Sequence, residues 1–154
     1  MSSAAEQLAA LGLTLPPVTP PVAAYVSAVR TGMYVYVSGQ VPVVDGKLPA
    51  TGKVGGAVSA EDAAGLARIC ALNAIAAAAE AAGGLEAIRR IVKVVGFVAS
   101  APGFNGQPQV INGASELLIE VLGEAGRHAR SAIGVAELPL DAPVEVELIA
   151  EVRG

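Results

Sequence analysis

Arg130 and Glu145 are the two side chains of this sequence whose types suit chemistry on a small organic acid. A guanidinium can grip a carboxylate through two parallel hydrogen bonds, and a carboxylate can draw a proton from an attacking water. Arg130 closes a cationic cluster, Arg127-His128-Ala129-Arg130, and Glu145 stands early in an alternating run. There Val144, Val146, Leu148, Ala150 and Val152 point one way, and Glu145, Glu147, Ile149 and Glu151 the other. That is the pattern of a strand with one buried face. The linking stretch Leu138-Pro139-Leu140-Asp141-Ala142-Pro143 reads as a turn-rich corner. Residues 130–152 are therefore expected to form a hairpin whose neighbouring strands bring the guanidinium and the carboxylate together. Ordinary solvated charges on a surface hairpin fit the same spacing, and spacing alone favours that plainer reading.

Other chemistries find less support. The one histidine, His128, has no nucleophile motif around it, and GxSxG is absent. A zinc site needs more ligands than one His and one Cys supply. The glycines around Lys53 lack the GxxxxGK[ST] spacing of a phosphate loop. Neither a metal nor an organic cofactor is expected. Cys70 lies in an apolar helical stripe with no activating neighbour, so it reads as a small core hydrophobe. Arg89, Arg90 and Lys93 form the densest basic patch and read as a solvated rim.

The 154 residues suit a single domain spanning 1–154. Apolar residues make up 53% and charged ones 16%, while aromatics are only 3%. A core of Ala, Gly and Val buries little area per side chain, so burial against copies of the same chain is a natural remedy, and an oligomer is expected. The net charge of −4 argues against broad capture of nucleic acid. No membrane span is expected either: the uncharged run 7–29 is interrupted by Pro16-Pro17 and Pro20-Pro21, and the run 94–115 by Pro102, Gly103 and Pro108. The N-terminus does not read as a signal peptide, and a lone cysteine suits a reducing compartment, so a cytoplasmic location is expected.

The elements that must position these groups follow from periodicity and punctuation. Residues 4–11 suit a short helix ended by Gly12, and the proline-rich stretch 15–22 runs extended. Strands are expected at 24–29 and 33–38 around a turn at Arg30-Thr31-Gly32. At Ser38-Gly39-Gln40 the glycine allows close approach of a ligand or another strand, or marks a bulge. Ser59 caps a helix that runs to Ala82 and stops at Gly83-Gly84, with Leu66, Ile69, Cys70, Asn73 and Ala77 towards the sheet. A buried strand at 91–98 and a helix at 107–122 follow. The order ββ, helix, strand, helix, ββ implies a mixed sheet with both helices on one face, leaving the other face bare unless subunits pack there.

Arg130-Ser131, Leu138-Pro139 and Val144-Glu145-Val146-Glu147 closely resemble the C-terminal signature of the RidA/YjgF family, and Tyr25 with Ser38-Gly39-Gln40 resembles its N-terminal block. The resemblance covers roughly residues 21–152, leaving 1–20 as an N-terminal extension. It implies an α+β, chorismate-mutase-like fold that forms a homotrimer with clefts between subunits. Members hydrolyse reactive 2-imino and 2-enamino acids, such as 2-aminoacrylate and 2-iminobutanoate, to 2-keto acids and ammonia. Others are described as L-PSP endoribonucleases or translation initiation inhibitors. A non-enzymatic trimer that binds small carboxylates is a third reading. By resemblance, Arg130 binds the substrate carboxylate, Glu145 positions or activates water, and Tyr25 closes the pocket. Ser38, Gly39, Asn112 and Ala132 help to hold the substrate. Ala132 stands where many members have cysteine, and the Gly-rich loop 50–58 is longer, which marks a divergent subgroup.

Overall fold

The computed structural model describes residues 2–154. Its elements are α1 (Ala4–Ala10), β1 (Ala28–Thr31), β2 (Tyr34–Gln40), α2 (Ala60–Ala82), β3 (Ile88–Ala99), α3 (Gln107–Leu122), β4 (Ala129–Val135) and β5 (Val144–Val152). The strands form one sheet in the order β1-β2-β5-β3-β4, with β3 and β4 parallel and every other pair antiparallel. This is the expected α+β architecture. Along β5, Val144, Val146, Leu148, Ala150 and Val152 are buried beneath the helices while the intervening residues face the open side.

Local chemistry explains the helix bounds. The Ser59 hydroxyl accepts the Asp62 amide at 3.0 Å, satisfying a donor that the first turn leaves orphaned. At the other end Gly83 takes a left-handed conformation (φ 93°) and returns its N–H to the Ala79 carbonyl at 3.0 Å. By length and composition α2 would suit a membrane span, a candidate that proline-interrupted runs elsewhere in the sequence do not reveal. Most of its apolar window is instead buried inside the protein. Cys70 is fully buried on this helix, its Sγ 3.7 Å from the Val144 carbonyl. Burial foremost, and then the Glu145 carboxylate, push its thiol well above the usual range, which keeps it unreactive.

The two helices pack against each other through small residues. A β-carbon at Gly113 would overlap the Ala64 carbonyl oxygen, so the backbones touch. Gly113→Ala must push α3 away from α2, and overpacking of this kind costs about 1–3 kcal/mol. Thermal unfolding should show a clear fall in Tm, whereas Gly65→Ala, with nothing near its β-carbon, should not.

Two expectations need correction. Residues 24–27 are not strand: β1 starts at Ala28, where pairing with Val37 begins, and it is an edge strand largely exposed to solvent. More consequentially, β4 and β5 are not a hairpin. β3 lies between them, pairing with β4 over Lys93–Ala99 and with β5 on its other side. A strand apolar on both faces has two edges to satisfy, and the linker after β4 carries the chain across its end. There Ser100 N–H donates to the Val135 carbonyl and Ala99 N–H to the Pro143 carbonyl, both at 3.0 Å. The loop 50–58 braces this crossing through Gly52 N–H to the Asp141 carbonyl (2.9 Å) and a Lys53–Glu137 ion pair (3.0 Å).

Candidate active site

Because strand residues alternate faces, register decides what each candidate can meet. Arg130 is paired with Val94 and Ala132 with Gly96, so both lie on the helix side of the edge strand β4. Gly96 is itself required there, since a β-carbon would run into the Ile111 side chain of α3. On α3, Pro108, Asn112 and Ser115 recur at helical spacing and turn one polar stripe towards β4. Arg130 Nη1 donates to Asn112 Oδ1 at 2.8 Å and to Ser115 Oγ at 3.2 Å, and Nη2 reaches the Pro108 carbonyl at 3.4 Å. A guanidinium carries five N–H donors. Three are engaged by neutral acceptors, leaving Nε–H and one hydrogen of Nη2 on adjacent nitrogens. Among the described residues no carboxylate pairs with Arg130. This partly buried cation is thus held in place with a two-pronged donor set unspent.

The cationic cluster of the sequence dissolves on folding. Arg127 turns to Glu124 at 3.1 Å. His128 turns inward, with Nε2 2.9 Å from Ser115 Oγ and Nδ1 2.6 Å from the Gly126 carbonyl. Arg89, near Glu151 at 3.9 Å and well exposed, is the solvated rim expected of it.

Glu145 lies elsewhere. It is level with Phe97 on the open face of the sheet, whereas Arg130 is level with Val94 on the helix face. With β3 intervening, the two are separated by two strand spacings, roughly 10 Å, and by the sheet itself. They are not neighbours within one chain, contrary to the hairpin expectation. Glu145 instead packs its carboxyl against Gly39 on β2, at the irregularity between Val37 and Gln40. Burial first, and then the charge of Glu147, raise its pKa above the ordinary glutamate value. Ser38, one residue before Gly39, donates its hydroxyl to the Val26 carbonyl at 2.6 Å, tying down the segment that carries Tyr25. Tyr25 itself is exposed and precedes β1, at the opposite edge of the sheet from Arg130. Four strand spacings amount to roughly 19 Å.

The candidates therefore form two half-sites. Arg130, Asn112 and Ala132 occupy one edge of the sheet; Glu145, Gly39, Ser38 and Tyr25 gather towards the other. Ser115 and His128 belong with the first half; the helical spacing of Pro108, Asn112 and Ser115 is the sequence signal that finds Ser115, and no spacing finds His128. In the second half, Gly39→Ala places a β-carbon on the Glu145 carboxyl. The end of a flexible side chain can swing away, so the variant should fold with a Tm close to that of the parent. Its turnover should fall at least tenfold as the carboxyl is displaced, because catalytic geometry tolerates little misplacement.

Comparison with known proteins bears on the family and the fold. Residues 5–152 match the family described as "YjgF/chorismate_mutase-like, putative endoribonuclease". Protein TCP17 of Trypanosoma cruzi is 43% identical over 150 residues, covering 97% of this chain and 94% of that protein. The crystal structure of Atu1372 from Agrobacterium tumefaciens, a protein described as of unknown function, is 46% identical with a TM-score of 0.90, covering 98% of this chain and 94% of that one. A structure described as a "putative endoribonuclease" from Shewanella oneidensis is 33% identical with a TM-score of 0.94, covering 98% and 100%. With matches that run almost from end to end, the chain belongs to the YjgF/chorismate mutase-like family.

Proposed function

We propose that this protein hydrolyses small reactive 2-imino and 2-enamino acids to 2-keto acids and ammonia, in clefts formed between copies of the chain. The observation that carries the reading is the unspent donor pair of Arg130, a fork suited to one carboxylate. Arg130 lies on the edge strand β4, while Glu145 on the central strand β5 and Tyr25 before β1 face away from it within one chain, so a head-to-tail contact would set Arg130 of one copy beside Glu145 and Tyr25 of the next. Such contacts close into a ring, and three copies fit the family resemblance. Support also comes from the open sheet face, where Val29, Tyr34, Tyr36 and Ile133 are exposed apolar or aromatic side chains.

In this arrangement Arg130 holds the substrate carboxylate and leaves the adjacent imine carbon facing the Glu145 carboxylate. An enamino acid first tautomerises to the imine, gaining a proton at C3 and losing one from nitrogen. Glu145 takes a proton from water as the oxygen adds to the imine carbon and hands it to the nitrogen, giving a neutral tetrahedral amino alcohol. Glu145 then takes the proton of the new hydroxyl and passes it to the nitrogen, so that the C–N bond breaks with loss of ammonia, the C=O forms, and Glu145 ends as it began. Tyr25 offers a phenol hydrogen bond to the substrate, and backbone groups at Gly39 and Ala132 flank it. An imine carbon is already electrophilic, so fixed orientation and one base account for the catalysis. No cofactor takes part in this scheme, and a cytoplasmic setting, where such imines arise, suits it.

Freshly generated 2-aminoacrylate or 2-iminobutanoate should release ammonia faster with the purified protein than without it, and light scattering should give three chains per particle. No acceleration with any small imino acid overturns the assignment. Cleavage of single-stranded RNA that disappears with Arg130→Ala would put an endoribonuclease in its place.

A further inference from the structure

Ser115 and His128 have no place in the scheme above, yet they form a chain of hydrogen bonds with a defined direction. The Gly126 carbonyl can only accept, so the 2.6 Å contact places a hydrogen on His128 Nδ1. Burial, opposed by that carbonyl and aided by the nearby Arg130 charge, lowers the imidazole's pKa, so the ring is neutral at neutral pH. A neutral ring with Nδ1–H offers a bare lone pair at Nε2. The Ser115 hydroxyl, 2.9 Å away, must donate into it. Its oxygen then keeps its lone pairs for the Arg130 Nη1–H at 3.2 Å. The order is Arg130 to Ser115 to His128 to Gly126, each group donating to the next.

We infer that Ser115 and His128 are positioning residues that orient the Arg130 guanidinium, fixing the Ser115 hydroxyl as an acceptor so that Nε–H and an Nη2–H remain free for a monocarboxylate. The inference rests on the proposed function only for the identity of the ligand. Asn112 fixes one hydrogen of Nη1 at 2.8 Å and the Pro108 carbonyl holds Nη2 only at 3.4 Å; Ser115, at 3.2 Å, supplies the second acceptor on Nη1 that limits pivoting about the Asn112 bond. Ser115 acts this way only while its own hydrogen points at His128. With the acceptor at Nε2 removed, nothing fixes the direction of the hydroxyl hydrogen, and the Ser115 lone pairs are no longer held towards Nη1. Groups one step removed from a ligand that orient its binding partner commonly change affinity by about 10–100-fold when lost.

The test uses substitutions that split the two nitrogens of the ring. His128→Asn places an amide N–H near the Nδ1 position and keeps the bond to Gly126 but offers Ser115 nothing. His128→Gln reaches the Nε2 position with a carbonyl oxygen and restores the acceptor. Ser115→Ala removes the hydroxyl, and Ser115→Thr keeps it. Rotation of the Arg130 guanidinium about Nε–Cζ, read by nitrogen NMR on the ligand-free protein, should be slow in the parent, His128→Gln and Ser115→Thr, and fast in His128→Asn and Ser115→Ala. With an imino acid substrate, the latter two should raise KM about tenfold with kcat within about twofold, while the restoring variants stay near the parent. Equal rotation rates in all five proteins would overturn the inference whatever the enzyme turns over. The expected rotation pattern in a protein that neither binds pyruvate nor hydrolyses imines would leave the inference standing and remove the deaminase reading alone.

Discussion

Arg130→Ala is expected to lower kcat/KM for imino acid hydrolysis by about 10³-fold, since removing one member of a desolvated, hydrogen-bonded charge pair costs about 2–5 kcal/mol. Arg130→Lys should recover at most about tenfold of that loss. The ammonium keeps the charge but is a single point; it cannot present two parallel donors to a carboxylate while also satisfying Asn112, Ser115 and the Pro108 carbonyl. Stability should change little in either variant. The partners of Arg130 are neutral acceptors on one helix, and Asn112 is exposed and can turn to water, so no unpaired charge is left behind. Steady-state kinetics beside a thermal melt and a light-scattering mass give the needed comparison. A variant with unchanged mass and Tm but parental kcat/KM would show that the guanidinium is not the substrate anchor.

The effect is expected to be large because the structure leaves Arg130 nothing else to do. Arg68 and Arg130 are the partly buried arginines among the described residues, and Arg68 meets Glu120 at 2.8 Å, whereas the exposed Arg127 meets Glu124 at 3.1 Å. Arg130 is more enclosed than Arg127 and has only neutral oxygens around it. A charge kept partly out of water without a counter-ion is unfavourable in the empty protein. Binding an anion relieves that cost, which turns a liability of the free chain into affinity.

Much of the scaffold was legible because it is written in local patterns. The strict alternation of Val144–Val152 reports one buried face directly, and Ser59 with Gly83-Gly84 brackets α2 as read from sequence. The bounds of α3 at Gln107 and Leu122 are likewise as expected. Pairing partners are a different matter. A proline-rich linker after Val135 serves equally well to turn back on β4 or to cross the end of β3, and only the doubly apolar character of β3 distinguishes the two. That ambiguity decided the site, because a hairpin would have joined Arg130 to Glu145 while the inserted strand separates them. His128 shows the same limit from another side. Its partner is 13 residues earlier, on a helix, and becomes adjacent only when α3 settles against β4 through Gly96. The family resemblance supplied the roles proposed for Tyr25 and Glu145, which no spacing in a single chain could relate to an arginine at the far edge of the sheet.

Glu145→Gln should separate function from stability more sharply than any other change. In the proposed role of proton acceptor from water, Glu145 would contribute by general base catalysis, typically about 10²–10⁴-fold, and an amide cannot replace it. Turnover should fall by that order with KM nearly unchanged, because the carboxylate anchor Arg130 is untouched. Stability should move the other way. The folded pKa of Glu145 is raised by burial and then by Glu147, so the folded state holds this proton more tightly than the unfolded chain. Below the ordinary glutamate range both states are protonated and the residue costs nothing; as pH rises through the folded pKa, the half-buried carboxyl ionises at a cost and native stability declines. The amide carries no such charge. The Tm of Glu145→Gln should therefore match the parent near pH 4 and exceed it at pH 7 to 8, by a margin that grows across the interval and shrinks if Glu147 is also neutralised. A Tm difference independent of pH would mean that the carboxyl is not strained by its surroundings. Unchanged turnover in the same variant would remove Glu145 from the chemistry and leave Tyr25 or bound water to supply the base.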